Sequence, residues 1–238
     1  FQNGVVEIGK KQVRFLSYID VDGFVWEKHI INRDYKQSDV IENDFKDLVD
    51  KVSASNEQRR KALENTIGYL MHSFKDKTDQ KAVILNDEEI SDDANGGSGK
   101  SLMLTALSSF KKMVTINGKS FDPNGSDFVY QRVNVDTQIL AFDDVKKNFN
   151  FENLFSLVTQ GITVNRKNKD EIFIPFERSP KIVITTNYAI TGKGNSHDRR
   201  KWELELAQHY NLQLTPLDEF GKLLFDDWTT KEWLKFDN

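Results

Sequence analysis

Hydrophobic and polar positions change their period along this chain. The N-terminal runs GVVEI and VRFLSYI read as short strands, and VDG separates SYID from FVWEKHII, with Asp22-Gly23 placed to form a hairpin turn. From about residue 40 the spacing becomes helical. Ile41, Phe45, Leu48, Val49 and Val52 share one face, and Ala62, Leu63, Ile67, Leu70, Met71 and Phe74 share another, as core-packing stripes do. Ser55, with Gln58 three residues on, predicts a capping box at the second helix. Between about residues 81 and 207, the runs KAVILN, MVTI, TQILAF, KIVITT and WELELA alternate with helical stretches, the pattern of a mostly parallel sheet covered by helices. Thr215-Pro216 then predicts a helix start, with Phe220, Leu224, Phe225, Trp228, Trp233 and Phe236 as apolar anchors.

These periods divide the chain into a small β element (1–37), a helical segment (38–78), an α/β core (79–210) and a C-terminal helical tail (211–238) packing on that core. Composition agrees with a globular chain, since 238 residues at 38% hydrophobic and 29% charged can bury a sizeable core. No apolar run approaches the roughly 18 residues that span a bilayer. The opening FQNGVVEIGKK lacks the charge-then-apolar order of a secretory signal, so a cytoplasmic setting is expected, with no membrane partner. The absence of cysteine excludes disulfides and cysteine-ligated zinc, and the four histidines (His29, His72, His197, His209) are too scattered to suggest a metal site. Any metal is expected to be a hard cation arriving with a substrate. A net charge of −4 argues against non-specific coating of nucleic acid, so such contact must come from local basic patches.

Chemistry concentrates in the α/β core. Ala94-Asn95-Gly96-Gly97-Ser98-Gly99-Lys100-Ser101, followed by Leu102, fits the phosphate-loop pattern with Ala at its first position. The glycines let successive N–H groups converge on phosphate, and the helix opening near Lys100 adds its positive end. Lys100 is placed to reach the β- and γ-phosphates and Ser101 to ligate magnesium; a flexible glycine-serine loop is the alternative. DEEISDD, with five acidic side chains, lies between KAVILN and this loop. Carboxylates there would repel a triphosphate, so the stretch is expected to point away from the site as a surface excursion.

TQILAFDDV is a buried-strand run ending in Asp143-Asp144. An NTPase needs one carboxylate for hydrated magnesium, assigned to Asp143, and another for the attacking water, assigned to Asp144; a helix-capping pair is the bland reading. KIVITTNY closes on Thr185, Thr186 and Asn187, which places the Asn187 amide at the carboxyl end of a central strand, next to a γ-phosphate. GITVNRKNKDEIFIPF reads as a hairpin with Arg166, Lys167 and Lys169 near its tip, suited either to edge protection or to gripping a phosphodiester backbone. SHDRRKWELELA sets Arg199 and Arg200 ahead of the last strand, as surface ion-pair residues or as a source of charge stabilisation for a neighbouring subunit's nucleotide.

The series ANGGSGKS, ILAFDDV, basic hairpin, IVITTN and arginine pair resembles the superfamily 3 helicases, hexameric AAA+ ATPases of small DNA viruses, poxviruses, phages and plasmids. It is most similar to phage or mobile-element proteins in which such a helicase follows a primase. The resemblance covers roughly residues 80 to 207. It implies an AAA+-like phosphate-loop NTPase fold and ATP and Mg2+ as cofactors. It also implies a phosphate-loop role for Lys100 and Ser101, magnesium and water roles for Asp143 and Asp144, and a γ-phosphate sensor in Asn187. Arg166, Lys167 and Lys169 fall in the segment of the family's DNA-tracking hairpin, and Arg199 or Arg200 where its arginine finger is expected. The preceding helices resemble a segment often used in oligomerisation. Ala94, the acidic stretch and Asp144, where many relatives carry Glu, depart from the family pattern.

The function implied is ATP-dependent translocation on single-stranded or forked DNA by a homo-oligomeric, hexameric ring in phage, plasmid or mobile-element replication, with a primase domain or protein as a further partner. Two alternatives share some of these features. A protein-remodelling AAA+ ATPase predicts turnover indifferent to DNA, and a non-catalytic DNA-binding assembly subunit predicts binding without turnover, the acidic stretch blocking ATP.

Overall fold

The structure, a computed structural model, describes residues 1–10, 12–40, 42–89 and 97–238. Ile41 of the predicted helical stripe, Asp92 and Asp93 of the acidic stretch, and Ala94, Asn95 and Gly96 of the phosphate loop lie outside the described residues.

The chain forms two compact units, one of residues 1–48 with 216–238 and one of residues 49–215. In the first, β1 (Val5–Ile8) pairs antiparallel with β2 (Val13–Leu16), Val5 opposite Leu16. The hairpin expected at Asp22-Gly23 does not form. Ser17 Oγ accepts the Ile19 N–H, and Tyr18–Asp20 winds into a 3-10 turn, which ends the strand-like run before the predicted turn. A second 3-10 turn, Glu27–His29, replaces the expected return strand. Helix α1 (Asp44–Val52) follows.

Residues 216–238 share this unit with the N-terminal residues. The Arg33 Nε donates to Asp237 Oδ2 at 2.8 Å, with its guanidinium 4.5 Å from the Trp233 ring centroid. Phe45, Phe225, Trp228, Trp233 and Phe236 form an aromatic cluster of tilted and edge-to-face pairs, for example Phe45 to Phe236 at 5.2 Å and 89°.

In the second unit α2 (Glu57–Met71) is capped by Asn56, whose Oδ1 accepts from Gln58 N at 3.0 Å and Arg59 N at 3.1 Å. The predicted cap, Ser55, has a left-handed backbone (φ 50°) and bonds Asp50 instead, which moves the first helical N–H groups one residue on. Leu63 and Leu70 are buried as predicted; Phe74 lies beyond the helix end and is exposed.

The sheet of this unit has five parallel strands in the order β4-β5-β8-β3-β9, with β3 (Ala82–Asp87), β4 (Met113–Asn117), β5 (Ile139–Val145), β8 (Lys181–Thr186) and β9 (Lys201–Leu206). All six residues of β3 and all six of β8 are buried, which is why these strands read as continuous rather than alternating apolar runs. Helix α3 (Lys100–Ser108) lies between β3 and β4 in the chain. Between β5 and β8 come α4 (Phe155–Thr159) and an antiparallel hairpin, β6 (Gly161–Arg166) with β7 (Lys169–Pro175). A short α5 (Asn195–Asp198) precedes β9, and α6 (Pro216–Phe220) and α7 (Thr230–Phe236) complete the chain. The fold is α/β with a parallel central sheet, as predicted. Among the described residues no helix is long and apolar enough to cross a membrane.

Candidate nucleotide site

In a parallel sheet every strand points its carboxyl end to the same edge, and ligand chemistry collects there. Strand register brings Leu85 opposite Thr185 and Val145 opposite Thr186, so the ends of β3, β5 and β8 lie side by side. Gly97 (φ 90°) and Gly99 (φ 93°) carry the chain through left-handed conformations that L side chains resist, and α3 begins immediately after them. Ser98 between them is buried.

Lys100, only 9% exposed, is the first residue of α3. Its Nζ donates to Asp87 Oδ1 and, at 2.9 Å, to Ser98 Oγ. Burial lowers the pKa of this ammonium, and the charges of Asp87, Asp144 and Asp143 oppose that shift. Asp87 contacts the buried lysine, and the charges of Asp143 and Asp144 act on it. Ser101, next in the helix, is exposed, and Leu102 is half-buried.

The register of β5 shifts between Phe142 and Val145, and Asp144 adopts φ 56°, a left-handed backbone unusual for a non-glycine residue. This bulge turns two successive carboxylates away from strict strand alternation. Thr185 Oγ1 donates to Asp143 Oδ1 at 2.6 Å and accepts the Asp144 N–H at 2.7 Å. Lys119, just past β4, places its Nζ 2.6 Å from Asp144 Oδ2, an ion pair that raises the Lys119 pKa. Asp144 Oδ1 is buried with no hydrogen-bond partner. Asn187 is half-buried directly beyond β8, at the same edge.

The described first residues of the acidic stretch do not simply point away. Asp87 is the last residue of β3 and is buried on Lys100, and Glu88 pairs with Arg59 at 2.7 Å. Asp87 was missed as a site residue because a run of acids after a strand reads as a solvated loop; its place in the β3–β9 ladder, opposite Leu206, is what turns it inward. Lys119 left no sequence signal.

The arginine pair lies elsewhere in the chain. Ala82 N donates to Arg200 O at 2.8 Å, which sets Arg200 at the start of β3, one six-residue strand from the phosphate loop, or about 20 Å. The Arg200 guanidinium donates to Ser196 O at 2.7 Å and sits 4.5 Å from the Phe155 ring centroid. Arg199 is exposed. At the hairpin, Asn168 supplies the left-handed turn residue (φ 57°). Lys167 and Lys169 are exposed, while Arg166 donates to Val133 O at 3.0 Å and Asn134 Oδ1 at 2.6 Å.

Among the described residues no group of three or more His, Cys, Asp or Glu forms a metal cage. Of the two residues expected to hold a hard cation, Ser101 is exposed and Asp143 offers a carboxylate whose Oδ1 accepts from Thr185.

The profile of a "Family of unknown function (DUF5906)" matches residues 93–200, from the phosphate loop to the arginine pair. No curated protein matches the chain. Among solved structures, "The A form apo structure of NrS-1 C terminal region-CTR(305-718)" is similar at TM-score 0.50 and 16% identity, covering 89% of this chain and 45% of that one. A second structure of the NrS-1 C-terminal region gives TM-score 0.49 at 17% identity, covering 85% and 46%. A JCV helicase structure with a bound thiazolopyridine compound gives 0.43 at 16%, covering 69% and 45%. The chain thus spans less than half the length of each of these structures. At 0.50 the likeness to the NrS-1 region is one of fold.

Proposed function

We propose that this chain is the ATP-hydrolysing part of a helicase-like DNA translocase, active as a ring. The observation that carries the reading is the placement of Lys100, after β3 at the start of α3, and of the Asp143-Asp144 bulge of β5 at the carboxyl edge of a parallel sheet ordered β4-β5-β8-β3-β9. The loop of Asn95, Gly96, Gly97, Ser98 and Gly99 wraps the phosphates with its N–H groups, and Lys100 binds their β- and γ-oxygens. Ser101 and Asp143 would hold magnesium, which would supply positive charge against the phosphates. Asp144 orients a water through its free Oδ1 and takes its proton as the water oxygen bonds to the γ-phosphorus and the bridging P–O bond to the β-phosphate breaks. Asn187 contacts the γ-phosphate from β8.

Arg199 completes the site of a neighbouring subunit, since within one chain it stands a strand length away from Lys100. Lys167 and Lys169 contact DNA phosphates from the hairpin, which Arg166 anchors beside its turn through Val133 and Asn134. The pairing of Asp87 with Lys100 favours a second reading, a DNA-binding assembly subunit that does not turn over ATP. ATP hydrolysis measured with and without single-stranded DNA, alongside oligomeric mass, separates the two. Magnesium-dependent turnover that rises with DNA and vanishes in Lys100→Ala is expected; absence of turnover, or turnover surviving that substitution, overturns the motor reading.

A further inference from the structure

Asp87 is the residue at this site that the proposed reaction leaves unused. It closes β3, its backbone fixed by pairing with Leu206 on β9, and is 3% exposed. Lys100 has three ammonium hydrogens, and the structure directs two of them to Asp87 Oδ1 and Ser98 Oγ, both held within the protein. The carboxylate is the end of a strand, whereas the lysine is a flexible four-carbon stem at a helix start, so the lysine is the partner free to move.

From this geometry we infer that Asp87 is a positioning residue that competes with the phosphates of a nucleotide for Lys100, and so sets nucleotide affinity. The inference rests on the nucleotide reading above. A triphosphate reaching Lys100 draws the ammonium off Asp87 and leaves that carboxylate buried near a charge of its own sign. The exchange opposes binding through charge and does not require Asp87 to touch the reacting atoms. The same competition reconciles the acidic approach to the loop with a working site: the carboxylate next to the phosphates neutralises the lysine until phosphate replaces it.

Asp87→Asn keeps the shape and an oxygen acceptor for Lys100 but removes the charge. In the full chain its Kd for MgATP, and its KM, should fall about tenfold with kcat not raised, a split that a purely structural role would not give. Unchanged or weaker binding by a folded Asp87→Asn chain overturns the proposal. Should that variant fail to fold, the wild-type chain with bound MgADP decides: Lys100 Nζ on phosphate and off Asp87 supports the exchange, and a Lys100 still on Asp87 overturns it. If neither wild type nor Asp87→Asn binds nucleotide, the nucleotide reading itself fails and takes the proposal with it. If only Asp87→Asn binds, the competition is established in its strongest form.

Discussion

Thr185 Oγ1 lies 2.6 Å from Asp143 Oδ1 and also receives the Asp144 N–H, so one hydroxyl on β8 holds both carboxylate residues of the β5 bulge. Valine has the same shape without the hydrogen bonds. A hydrogen bond to a charged group contributes about 1.5–3 kcal/mol, so Thr185→Val should lower ATP turnover by tenfold or more, roughly in that range. Thr185→Ser should retain most of it. Equal activity in Val and wild type would show that the bulge holds its geometry without the hydroxyl.

Arg199 and Arg200 are adjacent in sequence and unlike in structure. Arg200 stacks on Phe155 and bonds Ser196 O, so Arg200→Ala should lower stability by about 1–2 kcal/mol, seen as a lower Tm. Arg199 is exposed, and Arg199→Ala should leave the Tm within the small range of surface substitutions while abolishing ATP turnover. Because the proposed finger acts on a neighbouring subunit, mixing Arg199→Ala with Lys100→Ala chains should restore part of the activity. Mixtures as inactive as their components would place the arginine's action within its own chain.

The three central strands of the core were legible because a parallel strand covered on both faces is largely apolar, and KAVILN, ILAF and KIVITT declare that locally. The turn chemistry of Gly97 and Gly99 was legible for a similar reason, since it depends on the residues themselves. What escaped sequence reading depends on partners distant in the chain or on a single backbone angle. Asp87 is 13 residues from Lys100, and nothing in DEEISDD distinguishes its inward first carboxylate from the rest. Lys119 meets Asp144 only because β4 lies beside β5 and Asp144 turns at φ 56°. At the caps, left-handed turns at Ala54 and Ser55 decided between Ser55 and Asn56, a choice no pattern of residue types encodes. The false hairpin at Asp22-Gly23 came from a sound turn signal overridden upstream by the Ser17 turn.

The hairpin offers a salt test. Lys167 and Lys169 flank the turn, whereas the Arg166 guanidinium is bonded to Val133 and Asn134. Replacing both lysines with alanine should weaken single-stranded DNA binding and make the slope of log K against log salt shallower by about 1.4, or roughly 0.7 for each phosphate that a lysine no longer neutralises. Basal turnover without DNA should stay the same. An unaltered slope would remove the hairpin from the DNA interface and favour the protein-remodelling alternative.

At the opposite edge of the sheet, Lys181 opens β8 and is 4% exposed. Its Nζ donates to Tyr69 O, sits 3.1 Å from His72 Nδ1 and lies 3.8 Å from the Tyr69 ring centroid. Burial, reinforced by the charges of Lys111 and Lys75, pushes its ammonium from 10.5 down to about 7. Between those two values the unfolded chain holds a proton that the folded chain has released, so unfolding takes up a proton and stability rises with pH through that window. Below pH 7 both states are protonated, and the cost of burying the charge is fully present. Lys181→Met removes the titration while filling the same space. The Tm of wild type relative to Lys181→Met should therefore climb from pH 7 to pH 10, with the variant at its greatest relative advantage at the acidic end. Lys75, lowered to about 8 by burial, titrates in both chains, as do Lys111, His72 and Tyr69, so the difference between the two curves reports Lys181 together with its charge coupling to Lys75, Lys111 and His72. Parallel curves would mean that Lys181 stays protonated in the folded chain, its ammonium held by Tyr69 O and His72 despite burial.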